Sequence, residues 1–269
     1  PEEQAAEAPR EPQQAGVEEG TAAQAPPEVM NPRELFLKIR EKQFSGKVLD
    51  LPFLEGEGFV LHPARTDGVY QFYHKVKTDH FYCMFSTPSE DESRNLDLVP
   101  EIRTAVRHGL NESSELKAKV LGYNELCRKQ GIFLHLSLLH IDAAAATVSY
   151  TSCGGGYALY LKQGREEVKE LRLRVPRLGE ADRNGFEEAY ESADISFTGG
   201  DIFVAMPPNA SDIRLHGRLL DYAVREAVLA GRGTAAAGIG ETVMQAIHEL
   251  ETDEQARIPE TGLVILRFV

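Results

Sequence analysis

The sequence predicts an α+β protein in which antiparallel sheets are covered by helices. Strand-like stretches come in runs, over residues 59–85 and again over 132–206, instead of alternating singly with helices. Helical periodicity comes in pairs, over 98–110 with 113–129 and over 213–229 with 234–250. The joins inside the second run of strands are only a few residues long, which antiparallel neighbours allow and parallel ones do not.

The 269 residues carry a formal net charge of −13. Residues 1–30 hold seven Glu against one Arg, so six of those thirteen charges lie in a stretch of Ala, Glu, Gln and Pro without an aromatic. Such a stretch cannot offset the entropy of ordering and reads as a disordered acidic linker. Residues 31–53 read as a leading helix and connector, and 54–269 as one domain long enough for a sizeable core. An opening on Pro1 and a linker suggests a fragment, or a processed chain, whose N-terminal neighbour is missing. No run approaches the ~18 apolar residues of a membrane span, and no signal peptide is visible. Cys83, Cys127 and Cys153 are odd in number and widely spaced, which speaks against a disulfide framework or zinc site and for a reducing, cytoplasmic setting. The acidic balance speaks against binding the phosphate backbone of nucleic acid.

Asn31-Pro32 caps a helix to about Lys42, with Leu35, Phe36 and Ile39 on its apolar face. Strands are expected at 59–61, 69–76 and 81–85, the last two joined by a loop at 77–80. Residues 86–95 form a polar loop. The helix over 98–110 places Val99, Ile102, Val106 and Leu110 on one face; the next starts from a Ser113 cap and ends at Gly131. A meander follows over 132–141, 147–153, 157–162 and 168–175, then strands at 187–197 and 202–206. Pro207 and Pro208 stop the last of these, because proline cannot donate to a ladder. Gly231-Arg232-Gly233 separates the final two helices, and 262–269 is an apolar closing strand.

Several motifs invite chemistry, and each also has a plainer reading. Neither Gly231-Arg232-Gly233 nor Gly238-Ile239-Gly240 completes a nucleotide loop after a strand, so both read as helix breakers. His135 and His140 lie five apart on one strand and point to opposite faces, so they cannot hold one metal together. Gly154-Gly155-Gly156 could form an anion nest, although a hairpin turn explains it more simply.

The order of segments resembles the SpoIIE/RsbU branch of the PPM metal-dependent Ser/Thr protein phosphatases. Residues 136–141 resemble the family's F-x-G-x-L-D strand. Tyr150 to Tyr157, Y-T-S-C-G-G-G-Y, resembles Y-x-N-A-G-H-x-P. Residues 200–212 resemble G-D-x-L-x-L-Y-T-D-G-V-x-E, and I-P-E-T-G-L-V-I-L-R resembles D-D-x-T-L-x-V-L-R. The resemblance spans about 54–269 and implies an α/β/β/α sandwich of two antiparallel sheets flanked by helices.

In that family carboxylates hold two Mn²⁺ or Mg²⁺ that activate a water against a phosphoserine or phosphothreonine. The motifs here depart from the pattern. Val69, Phe85, Pro208 and Pro259 stand at ligating positions, and Glu260, one residue off, keeps an acid. A shift of register would bring in Asp67, Asp91 or Asp212. The resemblance therefore implies a pseudophosphatase without cofactor, acting as a regulatory or binding module. The alternative is an active Mn- or Mg-dependent phosphatase with atypical ligands. The implied partner is a protein, with a phosphoprotein of anti-sigma-antagonist type as the family's example; an upstream sensor or membrane domain and a homodimer stay open.

Overall fold

The structure, a computed structural model, describes residues 47–61, 69–86, 92–112, 115–207, 210, 214–215, 218–251 and 261–269. The expected linker, leading helix and Ser113 cap lie outside these residues. Thirteen strands and five helices are described, in the order β1 (Lys47–Leu51), β2 (Leu54–Leu61), β3 (Val69–Val76), β4 (Asp79–Ser86), α1 (Glu92–Glu112), α2 (Leu116–Gln130), β5 (His135–Asp142), β6 (Thr147–Cys153), β7 (Tyr157–Leu161), β8 (Lys169–Arg172), α3 (Arg183–Glu188), β9 (Ala193–Ser196), β10 (Ile202–Met206), β11 (Arg214–Leu215), β12 (Arg218–Leu219), α4 (Leu220–Ala230), α5 (Ala236–Glu251) and β13 (Thr261–Phe268). One sheet has the order β1-β2-β13-β10-β7-β8, the other β3-β4-β5-β6-β9; β11 and β12 form a separate small hairpin. Every ladder pairing between these strands is antiparallel.

The two sheets stack face to face, and side-chain alternation shows it. In β10, Phe203 and Ala205 join the core between the sheets, with Val264, Leu266 and Phe268 from β13 beside it. The Phe203 ring meets Tyr150 of the other sheet edge-on, centroids 5.7 Å apart. Ile202, Val204 and Met206 turn the other way, with Leu263 and Ile265, onto Val224, Val228, Ile239 and Val243 of α4 and α5. Both faces of β10 and β13 are thus covered, which is why these strands read as continuous apolar runs. Each such side chain contributes about 2 kcal/mol through burial.

The second sheet is covered by α1 and α2. Phe72 and Phe81 face those helices, with the Arg103 guanidinium 5.8 Å from one ring centroid and the Lys119 ammonium 5.0 Å from the other. Helix α1 buries Ile102, Val106 and Leu110, and α2 buries Leu116, Val120, Tyr123 and Cys127. Lys119 also donates to the carbonyls of Gly109 and Leu110, satisfying the end of α1. Gly131, at φ 64°, ends α2 in the left-handed conformation the sequence predicts. The architecture is the expected α/β/β/α sandwich.

Several elements differ from the sequence reading. The expected meander is two hairpins in different sheets: β5 pairs with β6 and β7 with β8, and the chain crosses from sheet to sheet through Gly154-Gly155-Gly156. Gly154 and Gly155 adopt φ 92° and 95°. A Cβ on Gly156 would lie 2.0 Å from Ser152 Oγ, so glycine is needed for the close passage. Residues 187–197 are not one strand. Asp182 caps α3 by accepting from the Gly185 N–H at 2.8 Å, Phe186 buries, and only β9 remains extended. Helix α1 starts at Glu92, inside the expected polar loop, and runs through Pro100. Helix α4 starts at Leu220, because the residues before it form β11 and β12. The last residues of the expected connector form β1, an edge strand against β2. Gly238 and Gly240 lie inside α5 and do not break it; Gly240 gives room to the Phe59 ring.

Candidate functional site

Register brings particular residues to one end of the cleft between the sheets. Val69 pairs with Ser86, and Ser86 with His135. One row deeper lie Gln71, Met84, Ser137 and Ser152, then Tyr73, Tyr82, Leu139 and Tyr150. Partners across a ladder share a face, and Tyr150 on Phe203 identifies it as the inter-sheet face. In the other sheet β10 ends at Met206 beside the start of β13, with Ala205 opposite Val264. The short link Gly154–Gly156 joins Cys153 to Tyr157, opposite Met206, so the two sheet ends lie on the same side of the molecule.

The lining of this end is polar but neutral. Ser86, Gln71, Ser137 and Ser152 are buried. Ser137 Oγ and Ser152 Oγ lie 3.0 Å apart, and the Tyr82 hydroxyl donates to Gln71 Oε1 at 2.6 Å. Burial pushes the Tyr150 hydroxyl up to about 12, so it stays protonated. His135 is partly buried, and burial lowers its pKa, favouring the neutral ring.

Of the positions singled out in the sequence, Val69 opens β3 and Phe85 lies in β4. Phe85 is buried on the helix side, stacked on Tyr70 with ring centroids 5.4 Å apart and edge-on to Phe72. The residue of β4 that shares a face with the inter-sheet lining is its neighbour Ser86. Pro208, Pro259 and Glu260, like Asp67, Asp91 and Asp212, lie outside the described residues. His140 faces away from His135, stacked on Phe81 and 3.1 Å from Asp79 Oδ1, so the two histidines stand apart as expected.

Two hard dications need several anionic oxygens. The described lining offers hydroxyls, an amide and one neutral imidazole. Among the described residues no three of His, Cys, Asp and Glu come together. The described residues therefore do not fit a two-metal centre.

The conspicuous carboxylate of the long motif lies at the opposite end of β10. The Asp201 side chain is fully buried. It accepts from Gln163 N at 2.7 Å, Thr198 N at 3.0 Å, Thr198 Oγ1 at 3.3 Å, Lys162 Nζ at 3.0 Å and Tyr160 Oη at 3.0 Å. Burial works to raise its pKa, but the hydrogen bonds prevail and hold it below the ordinary carboxylate value. Nothing in the sequence signals this role beyond the preceding Gly199-Gly200.

No protein-family model matches the chain, and no curated protein matches it in sequence. Solved structures match its fold. RsbX, solved in complex with magnesium, is 10% identical with a TM-score of 0.60, covering 83% of this chain and 99% of its own. The PP2C phosphatase domain of SpoIIE from Bacillus subtilis, with a fragment of its regulatory domain, is 13% identical at 0.63, covering 80% of this chain and 64% of its own. The RsbU and RsbW domains of Rv1364c from Mycobacterium tuberculosis give 8% and 0.65, over 82% and 63%. The chain has the fold of the PPM phosphatase domains of the SpoIIE/RsbU branch, and at these identities the likeness speaks for the fold alone.

Proposed function

We propose that this chain is a PPM-fold signalling domain that binds a protein partner and does not hydrolyse phosphoesters with metals. The observation that carries the reading is the lining where the two sheets end together: Ser86 and His135, backed by Gln71, Ser137 and Ser152, with no three of His, Cys, Asp and Glu gathered among the described residues, and with Glu180, the carboxylate that acts on His135, held by Arg177. A nucleophilic water needs the charge of bound dications, and dications need carboxylates. A fold whose described lining lacks such a carboxylate cluster still presents a shaped surface, which suits a regulatory or binding module. The partner class is a phosphoprotein of the kind handled by anti-sigma-antagonist systems, and the setting is cytosolic; among the described residues no helix is long and apolar enough to cross a membrane.

The second reading, a working phosphatase, draws on the fold shared with RsbX, described with magnesium. It needs carboxylates from Asp67, Asp91, Asp212 or Glu260. Calorimetric titration with Mn²⁺ separates the two. The proposal expects no saturable heat at micromolar Mn²⁺ and no chelator-sensitive hydrolysis of p-nitrophenyl phosphate. Two tight sites with such hydrolysis would establish the second reading.

A further inference from the structure

Strand β8 is the last strand of its sheet. Its residues Lys169–Arg172 pair with β7, and among the described residues none of their backbone groups bonds elsewhere. Alternate residues of an antiparallel strand point their N–H and C=O to the same side. Half of β8 therefore directs donors and acceptors outward, away from β7. The open edge is bounded at both ends. Arg225 donates to the Val168 carbonyl at 2.9 Å, and Glu191 accepts from the Arg174 N–H at 2.8 Å. An extended segment laid between these points would continue the sheet through backbone hydrogen bonds.

The sequence around this edge is basic in an acidic chain. Residues 162–177 hold six Lys and Arg against three Glu, whereas the whole chain carries −13. Register spreads the cations over both faces. Lys169 stands opposite Tyr160, and Arg172 opposite Tyr157. Tyr160 packs against the inter-sheet core, and Tyr157 packs on the α4 side. On the inter-sheet face Lys169 borders a cleft of about 320 Å³, with Lys162, Arg165 and Glu167. Asp201 holds Lys162, but Arg165 and Lys169 are exposed and form no ion pair among the described residues. On the other face Arg172 and Arg225 share one carboxylate, Glu170, with Asp221 3.9 Å from Arg225. Charges on an edge strand deter apolar and like-charged strands. They favour a strand of opposite charge, because opposite charges across a ladder attract.

We infer that the β8 edge binds an extended acidic segment of a protein partner, added to the sheet as a further strand. Lys169 and Arg172 are three residues apart and lie on opposite faces. The complementary segment therefore carries acids three apart, E-x-x-E, one toward each cation. This names the partner chemistry of the proposed binding role, on which it rests.

The test is a nuclear magnetic resonance titration of the full chain at constant ionic strength. The probes are the acetylated, amidated peptide Thr-Glu-Val-Thr-Glu-Thr, the same peptide with Gln for both Glu, and a single-stranded DNA of six thymidines. The Glu peptide should shift the β8 amides saturably at millimolar concentration. It should also slow hydrogen exchange at amides within Lys169–Arg172, which a polyanion resting on the side chains does not do. The Gln peptide should bind about tenfold or more weakly. The double variant Lys169→Glu, Arg172→Glu should lose the Glu peptide by a similar factor and gain the peptide with Lys for both Glu. That reversal also shows the variant to be folded; if it fails to fold, the Gln peptide carries the test on the parent. Unslowed exchange, equal affinity for the Gln peptide, equal affinity for the DNA, or a folded double variant that keeps the Glu peptide overturns the inference. Metal-dependent hydrolysis would overturn the wider proposal and leave the β8 response standing, so the two failures are distinct.

Discussion

The two ends of β10 make a contrast within five residues. At its start, Asp201 is a buried carboxylate with five donors around it, drawn from the ends of β7 and β9 and the turn between. There the acid stitches three segments together, and the stacked rings of Phe197 and Phe268, 3.6 Å apart, close the layer below. At the other end, where β10 stops beside β13, the described inter-sheet lining is made of hydroxyls, an amide and an imidazole, with Ser137 on Ser152 and Tyr82 on Gln71. A buried charge persists where hydrogen bonds fully compensate its desolvation. At the other end the described positions carry neutral groups: Gln71, Ser86, Ser137 and Ser152.

The largest effect expected from this contrast is at Phe85. Phe85→Asp would remove a buried ring from beside Tyr70 and Phe72 and leave an unpaired carboxylate in an apolar layer, costing roughly 5 kcal/mol. Because that layer faces α1 and α2, Mn²⁺ should not restore the urea midpoint; a rescue by Mn²⁺ would mean that the position opens onto the inter-sheet cleft after all.

Asp201→Ala comes next, at about 3 kcal/mol, because Gln163 and Thr198 lose a charged acceptor while Lys162 stays half in water. Asp201→Asn should cost less. Thermal denaturation would read this as a drop of several degrees, and a change no larger than a surface substitution makes would remove the staple from the account.

A smaller effect is expected at the neutral end. Ser86→Asp combined with Val69→Asp places two carboxylates on partnered positions and should cost about 1–2 kcal/mol without metal. Mn²⁺ should then raise the melting temperature of this variant by ligand linkage and leave the parent unmoved. A shift in the parent would favour the working phosphatase.

The smallest effect is the pH dependence of the Asp201 end. A carboxylate whose folded pKa is depressed stabilises fully above its unfolded value, near 3.8, and loses that contribution as pH falls through the folded value. The difference in urea midpoint between the parent and Asp201→Asn should therefore be constant above about pH 5 and shrink below it. A difference that grows on acidification would reverse the sign of the assigned shift.

Strands with clear alternation were legible before any coordinates. The sequence boundaries of β6 and β10 match the structure, and β13 was readable as a central strand because both its faces are apolar. Strand β2 was only partly legible, since Gly56 and Gly58 interrupt the pattern with residues of low strand preference. The site was less legible still. Reading it requires knowing which face of β4 meets the other sheet, and Phe85 and Ser86 differ there by a single residue.

The sequence by itself determined the class of fold, the apolar interior strands and the pairing of helices, because burial leaves a periodic mark on the chain. Only the tertiary structure decided that the chain changes sheets at Gly154–Gly156 and that Asp201 is a staple. Each of these depends on segments far apart in sequence, and alternation looks the same whether a strand's neighbour lies in its own sheet or in the one stacked against it.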